Sequence, residues 1–364
     1  MNHVAVVGAG LTGAATAWRL AQHGVRVTVL ERATPANPQG SSHGSARIFR
    51  YAYPDPFYAN LVAEARGHWD ELSEAAGIPL LRHVGSLDFG ARRDPAHLAA
   101  VLTAIGVGHE LLTAEQAATR WPGLHVDGPV LWQPSAGVID AESAVRAMVE
   151  LARLAGAAIR PDWTVTGFTA DAGRVSIRSA GGDELTADHV VVAAGGWLPA
   201  LAADLPFRLP PLRVTKEQAF HFPYREPVTD WPTTVHISDD FAAYSLPGGR
   251  DAEHRGHKVA EFLGGPDIPS AAGNDGFIDP ANRQRVVDYV TKYLPGLIPE
   301  PYAETTCVFT TTPTEDFVID TAGPVTVASP CSGHGAKFAP LLGSIVAASA
   351  LGITPPPDRF RAPR

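Results

Sequence analysis

The sequence predicts an α/β fold with a parallel sheet, interleaved along the chain with a second domain built on an antiparallel sheet. Three observations predict it. Val4 to Val7 is a β-rich run that leads through Gly8-Ala9-Gly10-Leu11-Thr12-Gly13 into Leu11, Ala14, Ala15 and Trp18 at helical spacing, a strand–turn–helix unit. The proline-dense stretch Pro206 to Pro211 then separates this grammar from a set of short strand-like runs. Finally, 364 residues, 45% of them hydrophobic, can bury about two domains, or one interrupted by another. We expect the first domain over residues 1–82, 140–210 and 312–364, and the second over 83–139 and 211–311.

In chain order, Gly24 ends the first helix, Val25 to Leu30 returns as a β-branched strand, and Glu31 stands at its tip, so the unit is βαβ. Ala33 to Ser45 is polar and rich in Pro, Gly and Ser, a loop of functional length, and Leu61, Ala65, Trp69 and Leu72 then line one helix face. Leu80 to Gln133 is irregular, with Gly85 to Gly90 as a strand and short helices near Pro95 to Ile105 and Ala114 to Trp121. Ala141 to Gly156 is an amphipathic helix, and Thr164 to Ala170, Arg174 to Ser179 and His189 to Ala193 are strands, the last ending in Ala194-Gly195-Gly196-Trp197. Gln218 to Phe222, Thr234 to Ile237, Ala242 to Leu246 and His257 to Phe262 make the antiparallel sheet, one face of which should cover a ligand. A helix from Pro280 to Tyr293, strands near Thr305 to Phe309, Phe317 to Asp320 and Val325 to Ala328, and a helix near Phe338 to Leu351 complete the chain.

Composition excludes several classes. The formal charge of -9 and the lack of a dense Lys/Arg run argue against a nucleic-acid partner. Two cysteines in 364 residues are too few for a disulfide framework and fit a reducing compartment. The most apolar stretches, Val190 to Ala203 and Phe338 to Leu351, fall short of the ~18 residues of a membrane span. The N-terminus lacks a basic leader and cleavage site, so a cytoplasmic protein is expected. No metal site is expected.

Gly8, Gly10 and Gly13 form G-x-G-x-x-G between a strand and a helix, where glycine admits a tight turn and the helix N-terminus attracts a pyrophosphate. Glu31 is placed to accept hydrogen bonds from ribose hydroxyls and would repel a 2′-phosphate, which disfavours NADP and leaves NAD or FAD.

Ser41-Ser42-His43-Gly44-Ser45-Ala46-Arg47-Ile48-Phe49-Arg50-Tyr51-Ala52-Tyr53 closely resembles the flavin-contacting segment of monomeric sarcosine oxidases and N-methyltryptophan oxidases. Cys307-Val308-Phe309-Thr310-Thr311-Thr312-Pro313, with Glu315 to Asp320, resembles the segment in which those oxidases attach FAD to a cysteine. Ser332-Gly333-His334-Gly335-Ala336-Lys337-Phe338 matches their C-terminal loop over the flavin, so the strings span nearly the whole chain in the family's order. The resemblance implies a Rossmann-like FAD-binding domain interleaved with a substrate-binding sheet domain, within the wider D-amino-acid oxidase fold. It implies FAD on Gly8, Gly10, Gly13, Glu31, Arg32, Ser42, Val165, Gly195 and Trp197, with Cys307 as a thioether to the flavin and Cys331 structural. It places His43 and Arg47 beside the ring as positive charge that favours reduced flavin. Gly333 and Gly335 permit close backbone approach, and a helix starting near Phe338 would aim its positive end at the flavin.

For the reaction, the resemblance implies that Arg50 and Lys337 grip a substrate carboxylate, that Lys258 activates dioxygen, and that Tyr244 lines the substrate cavity. Two positions depart from the family pattern. Phe262 and Phe309 stand where sarcosine oxidases carry a histidine and a tyrosine, so a substrate bulkier or less polar than sarcosine is expected. The implied activity is oxidation of the C–N bond of a secondary amino acid, N-methyl or cyclic, to an imine, with O2 reduced to hydrogen peroxide. Three alternatives stay open: a dehydrogenase passing electrons to another acceptor, in which Lys258→Met would leave turnover unchanged; a desaturating oxidase of a cyclic imino acid; and a non-catalytic FAD-binding scaffold. Family members are often monomers, and nothing in the sequence contradicts a monomer here.

Overall fold

Strand His3–Val7 is buried along its whole length because both faces of the sheet it centres are covered. In the computed structural model, which describes residues 1–171, 173–226 and 231–363, this sheet has six strands. Their order is Val318–Ala322, Val325–Ser329, His189–Val192, His3–Val7, Arg26–Leu30, Ala158–Arg160, all parallel except the antiparallel edge Val318–Ala322. One face packs on helices Leu11–Gln22, Ala141–Leu154 and Ala339–Ala350, the first of them lying between the other two. On the other face, Ala5, Val7, Val190 and Val192 meet Phe168, Val175 and Ile177 of a three-stranded antiparallel meander over 165–187. Helix Pro56–Ala76 begins with the Asp55 side chain accepting from Phe57 N (2.8 Å) and Pro56 in its first turn, and ends at Gly77. Its fully buried Trp69 donates its indole N–H to the Lys337 carbonyl (2.7 Å), fixing the C-terminal loop.

The second sheet differs from expectation in one respect. Its eight strands run Ala303–Thr311, Arg213–Pro223, Gly256–Glu261, Ala242–Pro247, Thr233–Ile237, Ser86–Phe89, Val130–Gln133, Glu110–Leu112. All pairs are antiparallel except Thr233–Ile237 with Ser86–Phe89, which is parallel, so the sheet is mixed. The parallel pair arises because residues 86–133 join this sheet from far upstream in sequence, and short runs such as Val130–Gln133 carry too few residues to display a period. The register places Phe309, Cys307, Lys258, Tyr244, Val235 and Asp88 on one face. The opposite face, with Phe220, Phe222, Val259 and Phe89, packs on helix Pro280–Tyr293.

A small sheet of Arg47–Phe49, Gly137–Ile139 and Leu81–His83 links the two regions. The C-terminal helix starts at Ala339, one residue later than expected, because Gly335–Phe338 forms a tighter 3₁₀ turn first. Among the described residues no helix is long and apolar enough to cross a membrane.

Candidate active site

A cavity of about 830 Å³ runs from the glycine turn of the first sheet to the polar face of the second. At its nucleotide end, Gly8 has φ +97°, and a Cβ there would lie 2.5 Å from the Ala193 carbonyl oxygen. Gly13 does not line the cavity; its role is closer packing, since a Cβ would stand 1.9 Å from the Gly8 carbonyl oxygen. Gly10 faces Ser42, whose Oγ accepts from Leu11 N (3.0 Å). The Glu31 carboxylate is buried and accepts from Ala9 N (2.7 Å), Ala33 N (3.0 Å) and Asn37 Nδ2 (3.2 Å). A carboxylate has about four lone-pair sites, so one remains for a ribose hydroxyl. Arg32 lies 4.4 Å over the Trp197 ring, whose buried indole N–H has no partner among the described residues, and Gly195 and Val165 line the wall beside it. A cradle that only glycine permits, an anchored carboxylate and a stacked aromatic wall fit an adenine dinucleotide.

In the middle of the cavity stand Cys307, Arg47, Lys258 and Tyr244. Arg47 folds back onto its own loop, donating to the carbonyls of Ala46 (2.9 Å), Ser41 (2.9 Å) and His43 (2.8 Å). His43 corrects an expectation: it is not in the cavity wall, and burial followed by Arg47 and Lys258 pushes its pKa down to about 4, so its ring carries no charge near neutrality. Its carbonyl aims Arg47 instead. Burial pushes the Cys307 thiol up, against the pull of Arg47 and Lys258. Cys331 is also in the wall, its sulfur accepting from Thr310 N (3.2 Å), and both cysteines are free. Lys258 is buried with no side-chain hydrogen bond among the described residues, and burial lowers its pKa to about 8.

At the far end, Arg50 and Lys337 lie beside Tyr53. The Arg50 guanidinium lies 5.1 Å and the Lys337 ammonium 5.4 Å from the ring centroid. Lys337 donates to Tyr53 Oη (3.0 Å) and the His334 carbonyl (2.9 Å), leaving its third N–H uncommitted. His334 Nε2 reaches the Glu315 carbonyl (3.0 Å), which can only accept, so Nδ1 is the acceptor of the Tyr53 hydroxyl (3.0 Å). Burial, then Arg50, holds Lys337 well below the ordinary lysine value. The Phe262 and Phe309 rings, 6.1 Å apart, make the apolar wall and close on Gly333, where φ is +71° and a Cβ would meet Phe309 at 2.8 Å. Gly335 also lines the cavity.

Tyr53, His334, Asp88, Arg93 and Gln133 belong to this end, and none was singled out from sequence. The readable signal is Asp88, an acid at an inward position of an apolar strand.

A dinucleotide cradle opening onto a cationic corner defines an oxidoreductase site of the flavoprotein type. The family profile described as FAD dependent oxidoreductase matches residues 3–349, and the chain belongs to that family. It is 31% identical to the monomeric sarcosine oxidase of Streptomyces avermitilis, over 99% of this chain and 97% of that one. It is 29% identical to the N-methyl-L-tryptophan oxidase of Yersinia pestis, over 94% and 93%. Among solved structures, the open form of NikD, an unusual amino acid oxidase essential for nikkomycin biosynthesis, superposes with a TM-score of 0.89 at 26% identity, covering 100% of this chain and 98% of that one.

Proposed function

We propose that the protein oxidises the C–N bond of a secondary amino acid, N-methyl or cyclic, with dioxygen as acceptor, and that the substrate is bulkier or less polar than sarcosine. The observation that carries this reading is the pair of cations, Arg50 and Lys337, beside Tyr53 in the cavity that Phe262 and Phe309 also line. A planar guanidinium and a point charge bind one carboxylate from two sides. The two rings then accept a hydrocarbon body and exclude water from it. Tyr244, half-buried in the same wall, contacts that body.

Bound FAD supplies the two-electron acceptor for the carbon bearing nitrogen. The chain holds it through Gly8, Gly10, Glu31, Arg32, Ser42, Arg47, Val165, Gly195, Trp197, Gly333 and Gly335. We assign Cys307 as its covalent attachment, supported by a half-buried free thiol in the cavity wall near Arg47 and Lys258. Lys258 presents an uncommitted ammonium in a desolvated space, where a fixed positive charge favours electron uptake by dioxygen. The reading includes a cytoplasmic monomer that takes only small molecules as partners.

The test is an absorbance spectrum before and after acid precipitation, followed by anaerobic addition of N-methyl and cyclic amino acids. Colour in the pellet and bleaching by one class of secondary amino acid are expected. A flavin that no such compound bleaches refutes the substrate class, colour left in the supernatant refutes the Cys307 link, and turnover unchanged by removing oxygen refutes the acceptor.

A further inference from the structure

Beneath Arg50 lies a carboxylate that no solvent reaches. Asp88 is 0% exposed, on the face of the mixed sheet that also carries Tyr244 and Lys258. Its Oδ1 accepts from Arg93 Nε (2.7 Å) and is ion-paired with Arg93 Nη2 (2.6 Å), its Oδ2 accepts from Gln133 Nε2 (2.7 Å), and Arg50 Nη1 stands 3.6 Å away. The same partners grip the backbone next to Arg50. Gln133 Oε1 accepts from Tyr51 N (2.8 Å) and Ala52 N (2.9 Å), and the Ala52 carbonyl accepts from Arg93 Nη2 (2.9 Å) and from Arg50 itself. Both polar groups of the Ala52 backbone are therefore committed to one assembly.

Every group facing Asp88 is a donor. Only an acceptor on both oxygens satisfies them, which an ionised carboxylate is and an amide is not. An asparagine would turn its NH2 toward Arg93 or toward Gln133. Flipping the Gln133 amide to receive it would set that NH2 against the Tyr51 and Ala52 N–H groups. The arrangement is thus specific in charge and in hydrogen-bond direction.

We propose that Asp88 is a positioning residue for Arg50, acting with Arg93 and Gln133 to fix the direction in which that guanidinium meets the substrate carboxylate. Arg50 reaches Asp88 through Nη1 alone, so Nε and Nη2 remain to form the two-pronged contact. Asp88 ties this prong to the sheet that bears Tyr244 and Lys258, so the carboxylate and the oxidisable carbon are held by one rigid element. The inference rests on the reading of Arg50 as a carboxylate ligand.

The experiment is equilibrium binding of benzoate, a carboxylate with no oxidisable C–N bond, to the FAD-loaded enzyme by perturbation of flavin absorbance, alongside KM and kcat. Asp88→Asn is expected to weaken benzoate and raise KM by at least about tenfold, with kcat within about threefold and FAD content unchanged. A mere counter-charge predicts the opposite sign, because removing the anion makes the corner more cationic. Unchanged or tighter benzoate binding overturns the proposal. If Asp88→Asn does not yield folded holoenzyme, Arg93→Lys decides, since it keeps the charge and loses the fork. Weakening by about fivefold or more supports positioning, and no change overturns it. Arg50→Met separates the two levels: benzoate indifferent to Arg50→Met overturns the carboxylate reading itself, whereas benzoate sensitive to Arg50→Met but not to Asp88→Asn or Arg93→Lys overturns only the role of Asp88.

Discussion

Replacing Gly333 by alanine tests whether the apolar wall is closed to the limit of contact. Gly333 has φ +71°, a region that costs an L-residue about 1–2 kcal/mol. The new Cβ would stand 2.8 and 2.9 Å from two ring atoms of Phe309 and 3.1 Å from Phe262. Overpacking of this kind costs about 1–3 kcal/mol, so the total is about 2–5 kcal/mol. With an unfolding entropy of ~2.1 cal/mol/K for each of 364 residues, or ~0.76 kcal/mol/K, Gly333→Ala should lower Tm by about 3 to 7 °C. The steric and backbone parts separate in a double-mutant cycle with Phe309→Leu, read by thermal unfolding of the FAD-loaded protein. Removing the ring should return about 1–2 kcal/mol of the loss and leave the backbone part, a coupling of the size expected for residues in contact. A double variant as unstable as the sum of the two single variants would refute the steric argument, and a Gly333→Ala Tm within about 1 °C of the parent would refute both parts.

Gly13→Ala places a Cβ 1.9 Å from the Gly8 carbonyl oxygen, where only backbone can yield, so in a Cys307→Ser background, in which FAD is held without a covalent link, FAD affinity should fall by about a hundredfold. Tyr53→Phe strips Lys337 of an acceptor and His334 of a donor, and KM should rise about tenfold, roughly 1.4 kcal/mol, with kcat less affected; an unchanged KM would show that the Lys337 ammonium is aimed by the His334 carbonyl alone. The Lys258 ammonium titrates near 8, so reoxidation by dioxygen in stopped flow should slow as pH rises through that value, and Lys258→Met should flatten the limb. In the stability of the protein the sign is reversed: the unfolded chain holds more protons between about 8 and the ordinary lysine value, so the penalty is full below about 8 and fades as pH rises through that window.

The parallel sheet was readable because Val4 to Val7, the glycine turn and the following helix each carry a local signature, and every residue of the strand His3–Val7 is buried. Helix Pro280–Tyr293 was readable to the residue, since Pro280 in its first turn and Asp279 before it mark a start. The three-residue strands Arg47–Phe49 and Leu81–His83 were not, because a run that short displays no period and exists only through its partner Gly137–Ile139. At the site, Arg50 and Lys337 could be singled out through family strings and Lys258 through the wider resemblance, whereas Tyr53 and His334 lay inside those strings without a role until Lys337 was seen bonded to both. His43 misled for a reason sequence cannot carry: its charge depends on burial and on two cations brought near by folding.

The alternation of the mixed sheet divides its work between two audiences. Positions 235, 244, 258, 307 and 309 look into the cavity, while 220, 222 and 259, on the opposite face, look toward the helix behind. Selection for a new substrate can therefore rewrite every second residue of these strands while the intervening ones continue to hold the scaffold. An insertion or deletion of one residue within them would exchange the two sets, so the family's diversification should be recorded in substitutions at cavity-facing positions and in loop lengths, never in strand lengths.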